Sequence, residues 1–238
     1  YSARNTGLYY FISGRPDGDF RFGGRIHSTS DVGINGYSEE EPCCPMGNTH
    51  GGLVELNGRY YIFDHRHTNH SSFCRQGVAE PITIDARGRI AQVEATSCGL
   101  NDGWLVGSGN YPAYIACVLY YEKTVAKEDR TACITQDGED RESLPGQYIR
   151  GISNGCIVGY RYFEGKTLSG IRLTLRGRAK GILYVTCHEE GGREQNPGEY
   201  AVGSCICDIN NGDWETLTIP VQIPAGEYPL YFRFRGEG

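Results

Sequence analysis

The sequence has little methionine, no long apolar run and no excess of basic residues. Only one of its 238 residues is methionine and only two are tryptophan. No apolar stretch approaches the roughly 20 residues that a membrane-spanning helix needs, so no membrane helix is predicted. The formal net charge of −6 argues against nucleic acid as a partner, because a phosphate-binding face carries a basic excess.

The chain has ten cysteines, yet no two of them are spaced as Cys-x-x-Cys. The chelating pairs of zinc ribbons and fingers are normally two to four residues apart, so neither class is predicted. Cys205 and Cys207 share one face of a predicted strand, where they either pack as small apolar residues or bind a soft metal. Disulfides are expected if the protein is secreted, with a pairing that the sequence leaves open.

Glycine and tyrosine are abundant, with 34 and 17 residues, and together they indicate many turns and aromatic strands, hence an all-β protein. The first half contains an internal repeat, in which Tyr9-Tyr10 is echoed by Tyr60-Tyr61, about 50 residues later. Each copy combines an aromatic strand, a polar turn and a second strand. Such a period is typical of propeller blades, and chance similarity between two hairpins is the alternative.

From about residue 148 onward, apolar and polar side chains alternate. The stretch IRLTLRGR places Ile171, Leu173 and Leu175 on one face, and YPLYFRFRG repeats the pattern. Several such strands, separated by Gly, Asn and Pro turns, predict an antiparallel β-sandwich. The charged segment before them, residues 122–147, predicts an exposed connector or a loosely packed first strand.

Four motifs in the first half resemble the last two blades of glycoside hydrolase family 43. They are RPDGDFRFGGRIHSTSD, GNTHGGLVELNGRYYIFDHRHTN, FCRQGVAEPITID and QVEATSCGL. The C-terminal part, from NGCIVGYRYF to YFRFRGEG, is similar to a family 6-type carbohydrate-binding module. The resemblance implies that residues 1–125 form the C-terminal part of a five-bladed β-propeller and that residues 126–238 form a β-sandwich of the jelly-roll type.

His50 is the main candidate for a functional residue. It stands in GNTHGG, between Gly47 and the pair Gly51-Gly52, and glycines let a backbone run close to a site. In family 43 the histidine of the Asn-x-His-Gly segment lies near the propeller axis and contacts a central cation, usually calcium, directly or through water. The resemblance therefore implies that His50 binds Ca²⁺ and substrate, whereas the residues alone also allow a simple turn.

Two further residues are predicted to bind sugar. Arg66 ends the strand YYIFDHR, where it either hydrogen-bonds sugar hydroxyls or pairs with a carboxylate. Trp214 lies at a loop edge in NNGDWETL, where it either stacks on a pyranose or packs at the edge of the core. The neighbouring His67 and His70 are assigned to a solvated turn rather than to a metal site.

The resemblance implies an inverting glycosidase of the arabinofuranosidase or xylosidase type, acting on plant arabinoxylan, arabinan or xylan. In family 43 the catalytic acid and base come from the first three blades, whose motifs this chain does not match. No catalytic residue is therefore assigned, and the chain is expected to be an inactive piece of a longer protein. The alternative is a non-catalytic carbohydrate-binding or structural β-sandwich fragment. A secreted or periplasmic location is favoured over the cytoplasm.

Overall fold

The computed structural model describes residues 2–3, 6–138, 146–188 and 196–237. They form two compact units, Tyr1–Asp102 and Gly103–Gly238. The strands are, in chain order, β1 (Ser2–Ala3), β2 (Gly7–Ile12), β3 (Arg21–His27), β4 (Gly52–Leu56), β5 (Arg59–Thr68), β6 (Ser71–Ile82), β7 (Leu105–Val106), β8 (Val118–Tyr121), β9 (Cys133–Gln136), β10 (Gln147–Arg150), β11 (Cys156–Gly165), β12 (Leu168–Thr186), β13 (Gly203–Ile223) and β14 (Gly226–Glu237).

Helical structure in the described residues is limited to single turns of 3-10 helix, at Ala113–Ile115, Lys127–Asp129 and Pro197–Glu199. Within these residues no helix is long and apolar enough to cross a membrane. The predicted all-β class is therefore confirmed.

The first unit contains two three-stranded antiparallel sheets, β1-β2-β3 and β4-β5-β6. In each sheet the strand with the tyrosine pair is the middle one, since β2 carries Tyr9 and Tyr10 and β5 carries Tyr60 and Tyr61. The sequence repeat therefore corresponds to two sheets with the same strand order.

A two-residue turn joins β4 to β5. Asn57 and Gly58 have φ values of 52° and 78°, which is the mirror-image turn geometry that suits the right-handed twist of a hairpin. Leu56 is paired with Arg59 across the turn. This closure fixes the register of β5, and with it the face on which each later side chain of the strand lies.

Apolar side chains from both sheets form the core of the first unit. Leu8 and Ile26 come from the first sheet, and Ile62 and Ile82 come from the second. Ile90, which follows β6, joins the same cluster. Burying an aliphatic side chain of this size contributes roughly 1.5–3 kcal/mol, so the cluster is the main attraction between the two sheets.

Glu80 is a buried carboxylate on β6, with 2% of its surface exposed. Its Oε1 accepts a hydrogen bond from the backbone N–H of Thr96 at 2.5 Å, and its Oε2 accepts one from the Thr96 hydroxyl at 2.8 Å. Burial raises the pKa of Glu80 to about 7, although His27 and the hydrogen bonds from Thr96 act in the opposite direction.

The second unit is built on a six-stranded sheet in the order β13-β12-β14-β11-β7, with β8 also paired to β11. β9 and β10 form a separate two-stranded ladder. The predicted alternation on β12 is present, because Ile171, Leu173 and Leu175 are partly buried while the residues between them are exposed. Val185 and Phe232 are register partners on β12 and β14, and both are buried.

The boundary between the two units follows Asp102, which is earlier in the sequence than the predicted boundary after residue 125. β7 and β8 lie before that boundary, yet both pair with β11 of the second unit. All four residues of β8, Val118–Tyr121, are buried. Their partner strand begins 35 residues after β8, at Cys156, and local sequence pattern does not indicate a partner at that distance.

The charged segment 122–147 contains a buried strand, β9, in which Cys133, Ile134 and Thr135 are all buried. Its pairing with β10 supports the expectation of a first strand over that of an exposed connector. Residues 139–145 of the segment lie outside the described part of the chain.

All ten cysteines fall within the described residues, and all ten are free thiols. The disulfides expected for a secreted protein are therefore not formed in this structure. Cys207 is buried, in agreement with a packing role, and Cys205 is partly exposed.

Replacing Glu80 by glutamine should remove a pH dependence of stability. The pKa of Glu80 is about 7 in the folded protein against an ordinary value of 4.5. Because the pKa of Glu80 is higher in the folded state, protonation of this residue stabilises the fold. The stabilisation is complete when the pH is below the ordinary pKa of 4.5, and it is lost as the pH rises through the folded-state pKa. This difference in pKa corresponds to a change of about 3 kcal/mol in the free energy of unfolding across that pH range.

Urea unfolding between pH 4.5 and about 8 measures this effect. We expect the free energy of unfolding of the wild type to fall with pH relative to that of Glu80→Gln. The exposed carboxylate of Glu55 on β4 provides the control, and Glu55→Gln should follow the wild-type profile. Parallel profiles for wild type and Glu80→Gln would contradict the raised pKa.

Candidate functional site

The loop that carries His50 runs directly into β4, and close packing requires glycine at two of its positions, 47 and 51. A side chain at Gly47, whose φ is 136°, would strike the ring of His67. A Cβ atom at Gly51 would strike the backbone carbonyl of Phe63 on β5. The neighbouring Gly52 has open space around the same position. The backbone that these glycines bring into close contact is packed against β5, and its approach to a ligand site stays a prediction.

His50 is exposed, and its imidazole packs on that of His65 with ring centroids 5.8 Å apart and an interplanar angle of 25°. Its backbone N–H donates a hydrogen bond to Oδ1 of Asp64 at 3.0 Å. The backbone of His50 is therefore anchored to β5 while its ring is accessible from solvent. Contact between this ring and a cation stays a prediction.

Asp64 is the buried acceptor that organises this region. Its Oδ1 also accepts the N–H of His65 at 2.7 Å, and its Oδ2 lies 3.2 Å from Nδ1 of His27 on β3. The side chains of His27 and Asp64 are 1% and 0% exposed. Both residues lie within the quoted motifs, but the sequence did not indicate that they pair, because positions 27 and 64 belong to different sheets and no local spacing relates them.

The segment around His67 is not the solvated turn that was predicted. β5 continues to Thr68, and the side chains of Asp64, Arg66 and Thr68 are buried on one face. Burial lowers the pKa of both His65 and His67, and the positive charge of Arg75 lowers it further. Both effects favour the neutral imidazole.

Arg66 is 6% exposed, and its Nε and Nη2 donate to Oε1 of Gln76 at 3.0 and 2.8 Å. It is adjacent to His65 in the strand, so its side chain lies on the opposite face of β5. The structure therefore does not bring Arg66 onto the face where the rings of His50 and His65 stack.

Arg66 instead lies near a pair of buried thiols, Cys43 and Cys44. The pKa of Cys44 is lowered to about 7, first by a hydrogen bond with Cys43 and also by the charge of Arg66. The Sγ atom of Cys44 lies 2.9 Å from the backbone oxygen of Thr29.

The described residues contain no group of three or more His, Cys, Asp or Glu side chains placed to hold a metal ion. Calcium takes about six to eight oxygen ligands, and a single imidazole such as that of His50 does not form such a site. Binding of calcium by His50, directly or through water, therefore stays a prediction.

Trp214 lies in β13 where its register with β12 shifts, between Asn211 and Glu215, and it is 46% exposed. The guanidinium carbon of Arg176 lies 4.5 Å from the centre of its ring, and Tyr148 meets the ring edge-on at 5.5 Å. Arg176 is oriented by Asp137, whose Oδ1 accepts from Nη2 at 3.2 Å. Trp214 is therefore part of an exposed aromatic and cationic cluster in the second unit and is not a core residue.

Replacing Gly51 by alanine should destabilise the loop that carries His50. The added methyl group collides with the backbone of Phe63, which gives way only if β4 and β5 separate. We expect a loss of about 1–3 kcal/mol in the free energy of unfolding, measured with urea. Gly52→Ala is the matched control, because the added atom enters open space, and it should change stability much less. Equal effects of the two substitutions would contradict the packing described for Gly51.

No family model matches the chain, whereas a curated protein and several solved structures are similar to it. A protein described as a xylosidase/arabinosidase, from Thermoclostridium stercorarium, is 38% identical over 240 residues. The match covers 97% of this chain and 49% of that protein, so the chain spans about half the length of its relative.

A solved glycoside hydrolase family 43 arabinoxylan arabinofuranohydrolase from Bacillus subtilis is 16% identical, with a TM-score of 0.50. It covers 100% of this chain, which corresponds to 46% of that structure. A β-1,3-glucan-binding CBM6 from Bacillus halodurans aligns with 57% of the chain, at 21% identity and a TM-score of 0.41. The resemblance predicted from the motifs is thus confirmed: the chain is a homologue of a xylosidase/arabinosidase and has, over its whole length, the fold of about half of a glycoside hydrolase family 43 enzyme.

Proposed function

We propose that the chain is part of an inverting glycoside hydrolase that releases arabinose or xylose from plant polysaccharide such as arabinoxylan, arabinan or xylan. The observation that carries this proposal is the 38% identity to a xylosidase/arabinosidase over 97% of the chain. The family 43 fold supports it independently.

Inverting hydrolysis needs a carboxylic acid and a carboxylate about 6.5–9.5 Å apart, with room for the attacking water. The buried carboxylates of the first unit accept hydrogen bonds within the fold, and none of them lies in a motif of the blades that supply the family's acid and base. Asp31 accepts the N–H of Ala95, Glu80 is bonded to Thr96, and Asp64 is bonded to His27. We therefore propose that the acid and base lie outside these 238 residues and that the chain alone does not hydrolyse glycosides.

His50 is proposed to contact calcium, directly or through water, and a sugar hydroxyl. Its exposed ring and anchored backbone support this role. The ion would supply a fixed positive charge near the substrate. Arg66 is proposed to bind a sugar hydroxyl through the small part of its side chain that solvent reaches.

A chimera tests the proposal directly. This chain would replace the matching 240 residues of the Thermoclostridium stercorarium protein, with folding checked by circular dichroism and gel filtration. We expect the chimera to hydrolyse nitrophenyl arabinofuranoside or xyloside, and the isolated chain to be inactive. His50→Ala should lower kcat/KM of the chimera by about 10–100-fold, as loss of a group around a metal does.

His70→Ala is the matched control, because His70 is an exposed histidine in the turn between β5 and β6. It should leave the rate unchanged. A folded chimera without activity on either glycoside would overturn the proposed function, and an unchanged rate in His50→Ala would overturn the role of that residue.

A second function, non-catalytic sugar binding by the sandwich, is favoured by the exposed ring of Trp214. An indole accessible to solvent and fixed by neighbouring side chains is a suitable surface for stacking a pyranose. A purely structural role for the sandwich is the remaining alternative.

Affinity electrophoresis through gels that contain xylan, arabinan or arabinoxylan distinguishes these roles. We expect the wild-type chain to be retarded and Trp214→Ala to bind about tenfold more weakly, because a stacking residue dominates such a site. Ile206→Ala, which removes another exposed apolar side chain from the same strand, serves as the control and should bind as the wild type does. If none of these polysaccharides retards the wild-type chain, the sugar-binding role is overturned and the structural role remains.

A further inference from the structure

The carboxylate of Asp64 holds two residues whose side chains stack on each other. Its Oδ1 accepts the backbone N–H of His50 at 3.0 Å and that of His65 at 2.7 Å. The imidazoles of these residues pack with centroids 5.8 Å apart. One buried oxygen atom therefore fixes the backbone on both sides of the His50–His65 stack.

The orientation of that oxygen depends on the other sheet of the unit. Oδ2 of Asp64 lies 3.2 Å from Nδ1 of His27, which is 0% exposed and belongs to β3. With its proton on Nδ1, His27 donates to the carboxylate, and a hydrogen bond to a charged acceptor is stronger than one between neutral groups. Holding Oδ2 leaves Oδ1 directed at the N–H groups of His50 and His65.

We propose that Asp64 and His27 are positioning residues for His50. Asp64 holds the loop backbone so that the imidazole of His50 rests on that of His65, and His27 fixes the plane of the carboxylate. The effect on hydrolysis rests on the proposed function, whereas the effect on the loop does not.

The other buried carboxylates of the unit do not share this role. Asp31 and Glu80 bond to Ala95 and Thr96, which lie after β6 and outside the loop. The close packing of Gly51 on β5 brings the loop within reach of Asp64, because a Cβ atom there would also meet the Cα of Asp64. Asp64 is thus the acidic residue whose removal releases the loop directly.

Amide hydrogen exchange on the 238-residue chain, followed by NMR, tests the positioning without any enzymatic assay. We expect Asp64→Ala to speed exchange at His50 and His65 by at least about tenfold while amides of β12 and β14 keep their rates. His27→Leu should produce a smaller increase at the same two amides, and His27→Gln, which retains a donor, should restore much of the protection.

Asp85→Ala is the matched control. Oδ1 of Asp85 also accepts two backbone N–H groups, from Arg87 and Arg89, in an exposed turn of the same unit. This variant should leave exchange at His50 unchanged. If Asp64→Ala does not fold, Asp64→Leu, which also lacks an acceptor, and His27→Leu carry the same comparison. Unchanged exchange at His50 in a folded variant of Asp64 would overturn the proposal.

The chimera supplies the functional measurement. Asp64→Ala should lower kcat/KM, and adding it to His50→Ala should cause little further loss, because two residues that act through one group are not additive. Additive losses would overturn action through His50. Faster exchange at His50 in the chain, together with an inactive wild-type chimera, would retain the positioning and reject the proposed function.

Discussion

A buried carboxylate has to accept hydrogen bonds, and in the first unit this requirement joins segments that are distant in sequence. Asp64 connects β5 to His27 of the other sheet, Asp31 receives the N–H of Ala95, and Glu80 receives two hydrogen bonds from Thr96. The apolar cluster between the sheets stabilises their packing, but the hydrophobic effect does not depend on orientation and so does not fix how the segments are aligned. The carboxylates supply direction, because each hydrogen bond forms only when its two segments are placed in one particular way.

The loop before β4 is shaped by the same constraint. Its backbone has to approach β5 closely enough for His50 to reach Asp64, and only glycine at position 51 permits that distance. The exposed imidazole is therefore held at the end of a rigid support. Such an arrangement suits a residue that contacts a ligand, since a site that is ordered in advance loses less freedom on binding.

Much of the architecture was predictable because its signals are local. The tyrosine pairs, the Asn57-Gly58 turn and the alternation along β12 each depend on neighbours in sequence, and all three are present in the structure. Pairing of β8 with β11 and of His27 with Asp64 depends on residues 35 or more positions apart. Polar residues in the stretch DHRHTN also suggested exposure, although hydrogen bonds within the fold allow Asp64 to be buried.

The position of Arg176 gives the indole of Trp214 two unlike sides. A guanidinium carbon 4.5 Å from the ring centre covers one face, and Tyr148 stands at the edge, 78° from coplanar. A flat ring that is open on both sides would accept a pyranose from above or below. With Arg176 over one face, the indole leaves only its opposite face for a flat ligand to stack on.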